Sequence, residues 1–172
     1  MCVTMDDIIH RIDERLRAPE APAPRKPTHL AWSIPGFGPM TRIGTSFGEV
    51  HAQALRKRDL VRTQSGQNAE IQYIDRIKID ADFMERTPDA YPILIRAGAL
   101  GSGLPKNDIT LSPAQQIGLG RHAFDVRFVR ASEMLGRPGV IRKPEEIMTY
   151  TVFHCGSPVC VRTEGIWAKL DP

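Results

Sequence analysis

The side chains of this chain that could do metal or thiol chemistry are few, and their spacing argues against such uses. The three cysteines, Cys2, Cys155 and Cys160, are an odd number at uneven intervals, which is not the pattern of a disulfide framework. His154 lies beside Cys155 and offers a second ligand type for zinc, but cysteine zinc sites usually show closely paired cysteine blocks. No fourth ligand follows from the spacing. We therefore expect no metal site and inert cysteines, with a Cys155–Cys160 bridge only in an oxidising compartment.

The remaining polar and glycine-rich patterns also favour structural roles. His51, His122 and His154 are isolated in the sequence, so each is expected to be structural. The stretches 36–38 and 98–103 are rich in glycine, as phosphate-binding loops are, but neither opens a helix after a parallel strand. We predict turns at both places and no cofactor.

Composition is that of an ordinary globular domain with a short appendage. The chain has 172 residues, of which 41% are hydrophobic and 25% charged. The net charge is +3, and basic residues alternate with acidic ones rather than forming a run, so nucleic-acid binding is not expected. No signal peptide or membrane span is recognised, so we expect a cytoplasmic protein that does not enter the membrane.

Residues 4–17 predict a short amphipathic helix. Thr4 and Asp7 resemble a capping box, and apolar residues then recur at helical spacing at Ile8, Ile9, Ile12 and Leu16. Four prolines make residues 18–29 an extended linker. The helix could dock on the rest of the chain or on another copy of it, or it could bind a protein partner. The predicted domains are residues 1–30, helix plus linker, and residues 31–172, a β domain.

From Ala31 onward the patterns favour strands. Short alternating or apolar runs predict strands at 70–74, 76–80, 93–95, 150–154 and 159–162. The turn-rich stretch 156–158 suits a hairpin between the last two runs, and a short helix is predicted at 131–135, ended by Gly136. Strands do not alternate with helices, which argues against a parallel nucleotide-binding sheet. The fold class is therefore predicted as all-β.

Several sequence blocks occur in an order that resembles a known family. The stretch Gly36-Phe37-Gly38-Pro39-Met40-Thr41-Arg42-Ile43-Gly44-Thr45 comes first, then Ile93-Leu94-Ile95-Arg96-Ala97-Gly98-Ala99-Leu100-Gly101, then Asp108-Ile109-Thr110-Leu111-Ser112-Pro113. Together these resemble the Hint (hedgehog/intein) family, in particular bacterial stand-alone Hint-type domains. The resemblance covers residue 34 to about residue 170 and implies an all-β, disc-like horseshoe.

The resemblance also implies self-processing chemistry. Active members attack their own preceding carbonyl with the thiol or hydroxyl of the first residue, because such a nucleophile can turn an amide into a thioester or ester. A hydroxyl and a histidine in the second block polarise that amide and move its proton, which needs a group that titrates near neutral pH.

The positions that match these roles depart from the family pattern. The nucleophile position is Gly36, which has no side chain, and the histidine position is Gln115, which cannot exchange a proton at neutral pH. The hydroxyl position keeps Ser112, and the residue before the nucleophile is Pro35. The family's turn glycine is replaced by Arg58, which predicts an altered turn.

Two functional hypotheses follow. In the first, the chain is a Hint-type domain that has lost self-cleavage and serves as a binding or structural module. In the second, it remains an autocatalytic processing domain that cleaves near Pro35–Gly36 with another nucleophile, such as Ser33, Ser112 or a cysteine. Both predict that Gly36, Ser112 and Gln115 lie close together, whereas an unrelated all-β domain would leave them apart.

Overall fold

A computed structural model describes residues 31–119 and 126–172. The elements run in the order β1 (Arg42–Thr45), β2 (Gly48–His51), β3 (Leu60–Arg62), β4 (Asn68–Glu70), β5 (Tyr73–Asp80), α1 (Ala81–Arg86), β6 (Ile93–Ile95), β7 (Ile109–Leu111), β8 (Gln116–Leu119), β9 (Arg127–Arg130), β10 (Val140–Arg142), β11 (Ile147–His154), β12 (Val159–Thr163) and β13 (Ile166–Leu170). The helix predicted at residues 4–17 and its proline-rich linker lie outside the described residues.

The strands form three antiparallel groups. The largest sheet has the order β4-β3-β1-β12-β13-β8-β9, with β2 also paired to β1, while β10-β6-β7 and β11-β5 form the other two. Every strand pairing found among the described residues is antiparallel. The predicted all-β class is confirmed. The one α-helix of the described chain, α1, begins where the Asp80 carboxylate accepts from the Phe83 amide.

Two apolar clusters hold these sheets together. The main core joins side chains from the large sheet, among them Ile43 and Ile117, to those of the three-stranded sheet, among them Ile93 and Leu111. A second cluster lies beneath the β5–β11 ribbon and centres on Tyr150, whose hydroxyl donates to the Ala90 carbonyl at 2.8 Å. Burial raises the pKa of Tyr150. The ribbon is therefore fixed to the α1 region by both apolar contact and a buried hydrogen bond.

The hairpin predicted between residues 150–154 and 159–162 is wrong, although both runs are strands. The first belongs to β11, which pairs with β5, and the second belongs to β12, which pairs with β13. The true hairpin turns at Glu164 and Gly165, which both have positive φ, 46° and 90°. A two-residue turn with two positive φ values matches the twist of the flanking strands. The longer segment 155–158 instead carries the chain from one sheet to another.

Other local predictions are refined rather than reversed. The strand at 93–95 is confirmed as β6. The run at 70–74 is divided, because β4 ends at Glu70 and the buried Ile71 lies between β4 and β5. The helix predicted at 131–135 is a single 3₁₀ turn, Ala131–Met134.

The turn around Arg58 uses a backbone conformation that usually belongs to glycine. Arg58 has φ 78°, the left-handed conformation that glycine adopts easily. Its amide donates to the Ile71 carbonyl at 2.9 Å, and the Asp59 carboxylate accepts from the Arg56 amide at 2.8 Å. These hydrogen bonds preserve the turn, so the arginine tolerates a conformation that disfavours a side chain.

Replacing Arg58 with glycine is expected to raise the free energy of unfolding by about 1 kcal/mol, because the relief of left-handed strain exceeds the entropy that glycine adds to the unfolded chain. Urea denaturation followed by circular dichroism measures this change. Lys57→Gly is the matched control, since Lys57 is exposed in the same turn without a positive φ. It should lower stability by ~0.5–1 kcal/mol. Equal effects of the two substitutions would contradict the strain argument.

No helix of the described residues is long and apolar enough to cross a membrane.

Candidate functional site

Gly36 lies in an extended segment that threads between β7 and β11. The Phe37 amide donates to the Thr151 carbonyl at 3.0 Å, and the Thr151 amide donates back to the Phe37 carbonyl at 2.9 Å. On the other side, the Gly36 carbonyl accepts from the Ser112 amide at 2.9 Å. The backbone around Pro35–Gly36 is therefore held from two directions.

On the side where its Cβ atom would be, Gly36 lies close to β11. A Cβ atom built on Gly36 would lie 3.0 Å from the Cβ of Tyr150 and 3.2 Å from the Thr151 carbonyl oxygen. Real Cβ atoms rarely come so near to their neighbours. A side chain at this position therefore requires β11 to move, and β11 is part of the core through Tyr150.

Ser112 is fully buried and uses its hydroxyl in two hydrogen bonds. The hydroxyl donates to the Ile34 carbonyl, and it accepts from the Trp32 indole N–H at 2.9 Å. Its proton is thus directed at a backbone oxygen two residues before Gly36. In this arrangement Ser112 fixes the segment before Gly36.

Trp32 is the residue of this site that sequence reasoning missed. Its ring lies 5.9 Å from the rings of both Phe83 and Tyr150, and its indole N–H points to Ser112. Aromatic contacts of this length are favourable at edge-to-face and tilted angles. Trp32 anchors the chain as it enters the domain. Trp32 follows a proline-rich stretch, where no hydrophobic periodicity could indicate that its side chain is part of the site.

Gln115 joins β8 to β13. Its side chain is buried, with 1% exposure, and its Nε2 donates to the Lys169 carbonyl at 2.9 Å and the Gln116 carbonyl at 3.0 Å. Both partners are acceptors, which supports the amide orientation. The Oε1 atom has no hydrogen-bond partner within the described part of the chain. A group with two N–H donors therefore occupies the position where the family pattern has a histidine.

A cleft of about 210 Å³ opens beside these residues. Gly36 and Gln115 both line it. The backbone N–H of Gln115 donates to the Ser112 carbonyl at 3.0 Å. The structure therefore brings Gly36, Ser112 and Gln115 into one place. The ionisable side chains that line the cleft are Arg130, His154, Lys169 and Asp171.

The cysteines and histidines within the described residues do not form a second site. Cys155 and Cys160 are free thiols. Burial raises the pKa of both, and for Cys160 the nearby Lys169 opposes that rise while Asp171 adds to it. Within residues 31–119 and 126–172, no group of three or more His, Cys, Asp or Glu side chains could hold a metal ion. His51 contacts the Met40 carbonyl and His154 the Gly156 amide, and His122 lies outside the described residues.

Comparison with known proteins agrees with this architecture. A family model described as the Hint domain matches residues 35–169. Among solved structures, the crystal structure of the MchDnaB-1 intein superposes with a TM-score of 0.50 at 8% sequence identity, covering 78% of this chain and 99% of that one. The crystal structure of the gp41-1 intein gives a TM-score of 0.49 at 11% identity, covering 79% and 98%. No curated protein sequence matches this chain. At 8% identity the MchDnaB-1 likeness concerns the fold alone.

Proposed function

The chain belongs to the Hint-domain family, and from that premise we propose that it has lost self-cleavage at Pro35–Gly36 and serves as a binding or structural module. The observation that carries the proposal is the absence of a nucleophile at Gly36, supported by the close contacts that any side chain there would make with β11. Acyl transfer in a self-processing site needs a thiol or hydroxyl next to the scissile carbonyl. Here Gly36 supplies neither group, and a Cβ atom at this position would already lie 3.0 Å from the Cβ of Tyr150 and 3.2 Å from the Thr151 carbonyl oxygen.

The chemistry and the hydrogen bonds of the Gln115 side chain support the same proposal. A carboxamide donates and accepts hydrogen bonds but neither gains nor loses a proton at neutral pH. Loss of general acid or base catalysis typically costs 10²–10⁴-fold in rate. In this chain the side-chain amide of Gln115 also donates hydrogen bonds to the Lys169 and Gln116 carbonyls. Its role is therefore structural.

The binding part of the proposal rests on the cleft. It remains open beside Gly36 and mixes apolar walls, such as Val152 and Phe153, with charged groups such as Arg130 and Asp171. Ligand pockets combine apolar walls with a few polar groups in the same way, usually in a larger volume than this cleft. We infer that the surface once used for chemistry is available for recognition.

An autocatalytic domain with another nucleophile is the alternative. Its best support is Ser33, which lines the same cleft as Pro35 and Gly36. Ser112 is less suited because both its donor and its acceptor function are already used. Cys155 and Cys160 are less suited because burial raises the pKa of each thiol, and the thiolate is the reactive form.

Restoring the two family residues tests which loss matters. We expect no thiol-induced cleavage in the wild type and little in Gly36→Cys or Gln115→His alone. The double variant should cleave by more than the product of the two single effects, because nucleophile and proton shuttle act as a unit. Intact mass after incubation with dithiothreitol measures the cleaved fraction, with circular dichroism to confirm folding.

Rapid cleavage of the Gly36→Cys single variant would show that the histidine position is dispensable. Cleavage of the wild type would support the alternative nucleophile, and adding Ser33→Ala would then show whether Ser33 is responsible.

A further inference from the structure

We propose that residues 4–17 of this chain dock into an apolar groove between β5 and α1, next to the point where the chain enters the domain. The groove shares no lining residue with the Gly36–Gln115 cleft.

The groove is open and its walls are mainly apolar. It has a volume of about 350 Å³ and is lined by the side chains of Trp32, Ile34, Ile77, Ile79 and Phe83. Phe83 keeps 38% of its surface exposed, and Trp32, Ile34 and Ile77 are only partly buried. The groove thus opens at the rim of the second apolar cluster, to which Trp32, Ile77 and Ile79 belong. Contiguous exposed apolar surface of this kind marks an interaction site.

The groove follows an edge of β5 that no other strand covers. β5 pairs with β11, and among the described residues no strand pairs with its second edge. The four consecutive residues from Ile77 to Asp80 all line the groove. Successive side chains of a strand point to opposite faces, so four neighbours reach one groove only along the edge of the strand. Proteins commonly protect such an edge by laying a helix or loop over it.

The first thirty residues of the chain are tethered at the wall of this groove. The described part of the chain begins at Ala31, and the next residue, Trp32, lines the groove. The linker predicted at residues 18–29 spans at most about 40 Å when extended. That length is more than a return from Trp32 to the groove requires, so the tether permits residues 4–17 to reach it.

The apolar residues of the helix predicted at 4–17 match the groove in chemistry and in length. Ile8, Ile9, Ile12 and Leu16 recur at helical spacing and share one face. A helix rises about 12 Å from Ile8 to Leu16, and β5 covers about 10 Å from Ile77 to Asp80. A single helix of this length is marginal in water, so its apolar face needs a partner surface.

The size of the groove favours the tethered segment over a separate protein or a second copy. A stable interface between two proteins buries about 800 Å² on each side, contributed by roughly 20–30 residues. Only seven residues line this groove. A flexible tether gives an attached segment an effective concentration of about a millimolar, so that weak contacts suffice within one chain. We therefore assign the groove to residues 4–17 of the same chain.

Acrylamide quenching of Trp32 fluorescence tests this docking. All proteins carry Trp167→Phe, which leaves Trp32 as the single tryptophan of the chain. In this background, Ile8→Ser/Ile12→Ser should raise the quenching constant about twofold or more, because two aliphatic side chains no longer bury their surface and the docked population falls. The emission maximum should shift to longer wavelength at the same time.

The double substitution His10→Ser/Glu14→Ser is the matched control. At about 100° per residue, both positions lie on the side of the helix opposite the apolar face. The control introduces the same residue and lowers helix propensity at least as much, yet its quenching constant should stay close to that of the Trp167→Phe parent.

Measurement at low and at high protein concentration identifies the occupant. Docking within one chain gives the same quenching constant at both. The proposal is overturned if the Ile8→Ser/Ile12→Ser variant is quenched no more than the control. It is also overturned if quenching of the Trp167→Phe parent falls as protein concentration rises, because a second copy would then occupy the groove. Neither result depends on whether the chain cleaves itself, which intact mass reports separately.

Discussion

Gln115→Ala is expected to lower the free energy of unfolding by about 2–3 kcal/mol. The substitution removes the donor that serves the Lys169 and Gln116 carbonyls. A buried acceptor left without a partner costs about 1–3 kcal/mol. Loss of the unpartnered Oε1 atom offsets a small part of that cost. Chemical denaturation monitored by circular dichroism measures the difference.

The neighbouring glutamine provides the control for this experiment. Gln116 is only partly buried, and no hydrogen bond of its side chain is found among the described residues. Gln116→Ala should therefore change stability by less than about 0.5 kcal/mol. Gln115→His should fall between the two variants, because a neutral imidazole has one N–H donor where the amide has two. If Gln115→Ala is as stable as Gln116→Ala, the side chain does not act as a clamp between β8 and β13.

Gly36→Cys is expected to destabilise the folded chain by about 1–3 kcal/mol, the usual cost of adding atoms to a filled interior. The reason is the 3.0 Å approach of the new Cβ to Tyr150 and its 3.2 Å approach to the Thr151 carbonyl. The free energy of unfolding from urea titration, under reducing conditions, gives the magnitude.

Two alanine variants show whether the destabilisation comes from the added Cβ atom at Gly36 or from the thiol. Gly36→Ala adds the same Cβ without a thiol and should destabilise the chain to a similar extent. Gly44→Ala adds a Cβ to a strand glycine whose nearest neighbour would be at an ordinary 3.5 Å, so it should be close to neutral. If Gly36→Ala were also neutral, the volume beside Gly36 would be less constrained than the structure indicates.

The fold could be predicted from the sequence because the motifs and apolar runs that indicate it are short stretches of consecutive residues. The ordered blocks from Gly36 to Pro113 identified the family, and β6, β11 and β12 were each recognised from apolar or alternating runs. The pairing of β11 and β12 could not be predicted, because two adjacent strands with a turn between them look the same whether or not they form a hairpin. Only the positive φ values at Glu164 and Gly165 show where the hairpin lies.

The site could be predicted in position but not in function. Sequence blocks indicated that Gly36, Ser112 and Gln115 converge, and the structure places them beside one cleft. The sequence could not indicate that the Gln115 side chain donates to two carbonyls or that the Trp32 indole donates to Ser112. Those contacts join residues far apart in the chain, and a single tryptophan or glutamine has no periodic pattern.

The backbone at Arg58 also lay outside what the sequence could show. The loss of the family glycine predicted a changed turn, and in this chain Arg58 has a φ of 78°, a conformation that glycine adopts easily. The hydrogen bonds of the Arg58 amide and the Asp59 carboxylate hold this turn.

The most direct test of the lost self-cleavage is the intact mass of the wild-type chain incubated with hydroxylamine or with dithiothreitol at neutral pH. Hydroxylamine cleaves an ester or a thioester, so it detects an acyl shift onto a hydroxyl or a thiol, whereas dithiothreitol cleaves a thioester and detects a shift onto a thiol. The account predicts that the chain keeps its mass of 19.2 kDa in both reagents. A fragment that begins at Gly36, with or without an added nucleophile, would contradict it.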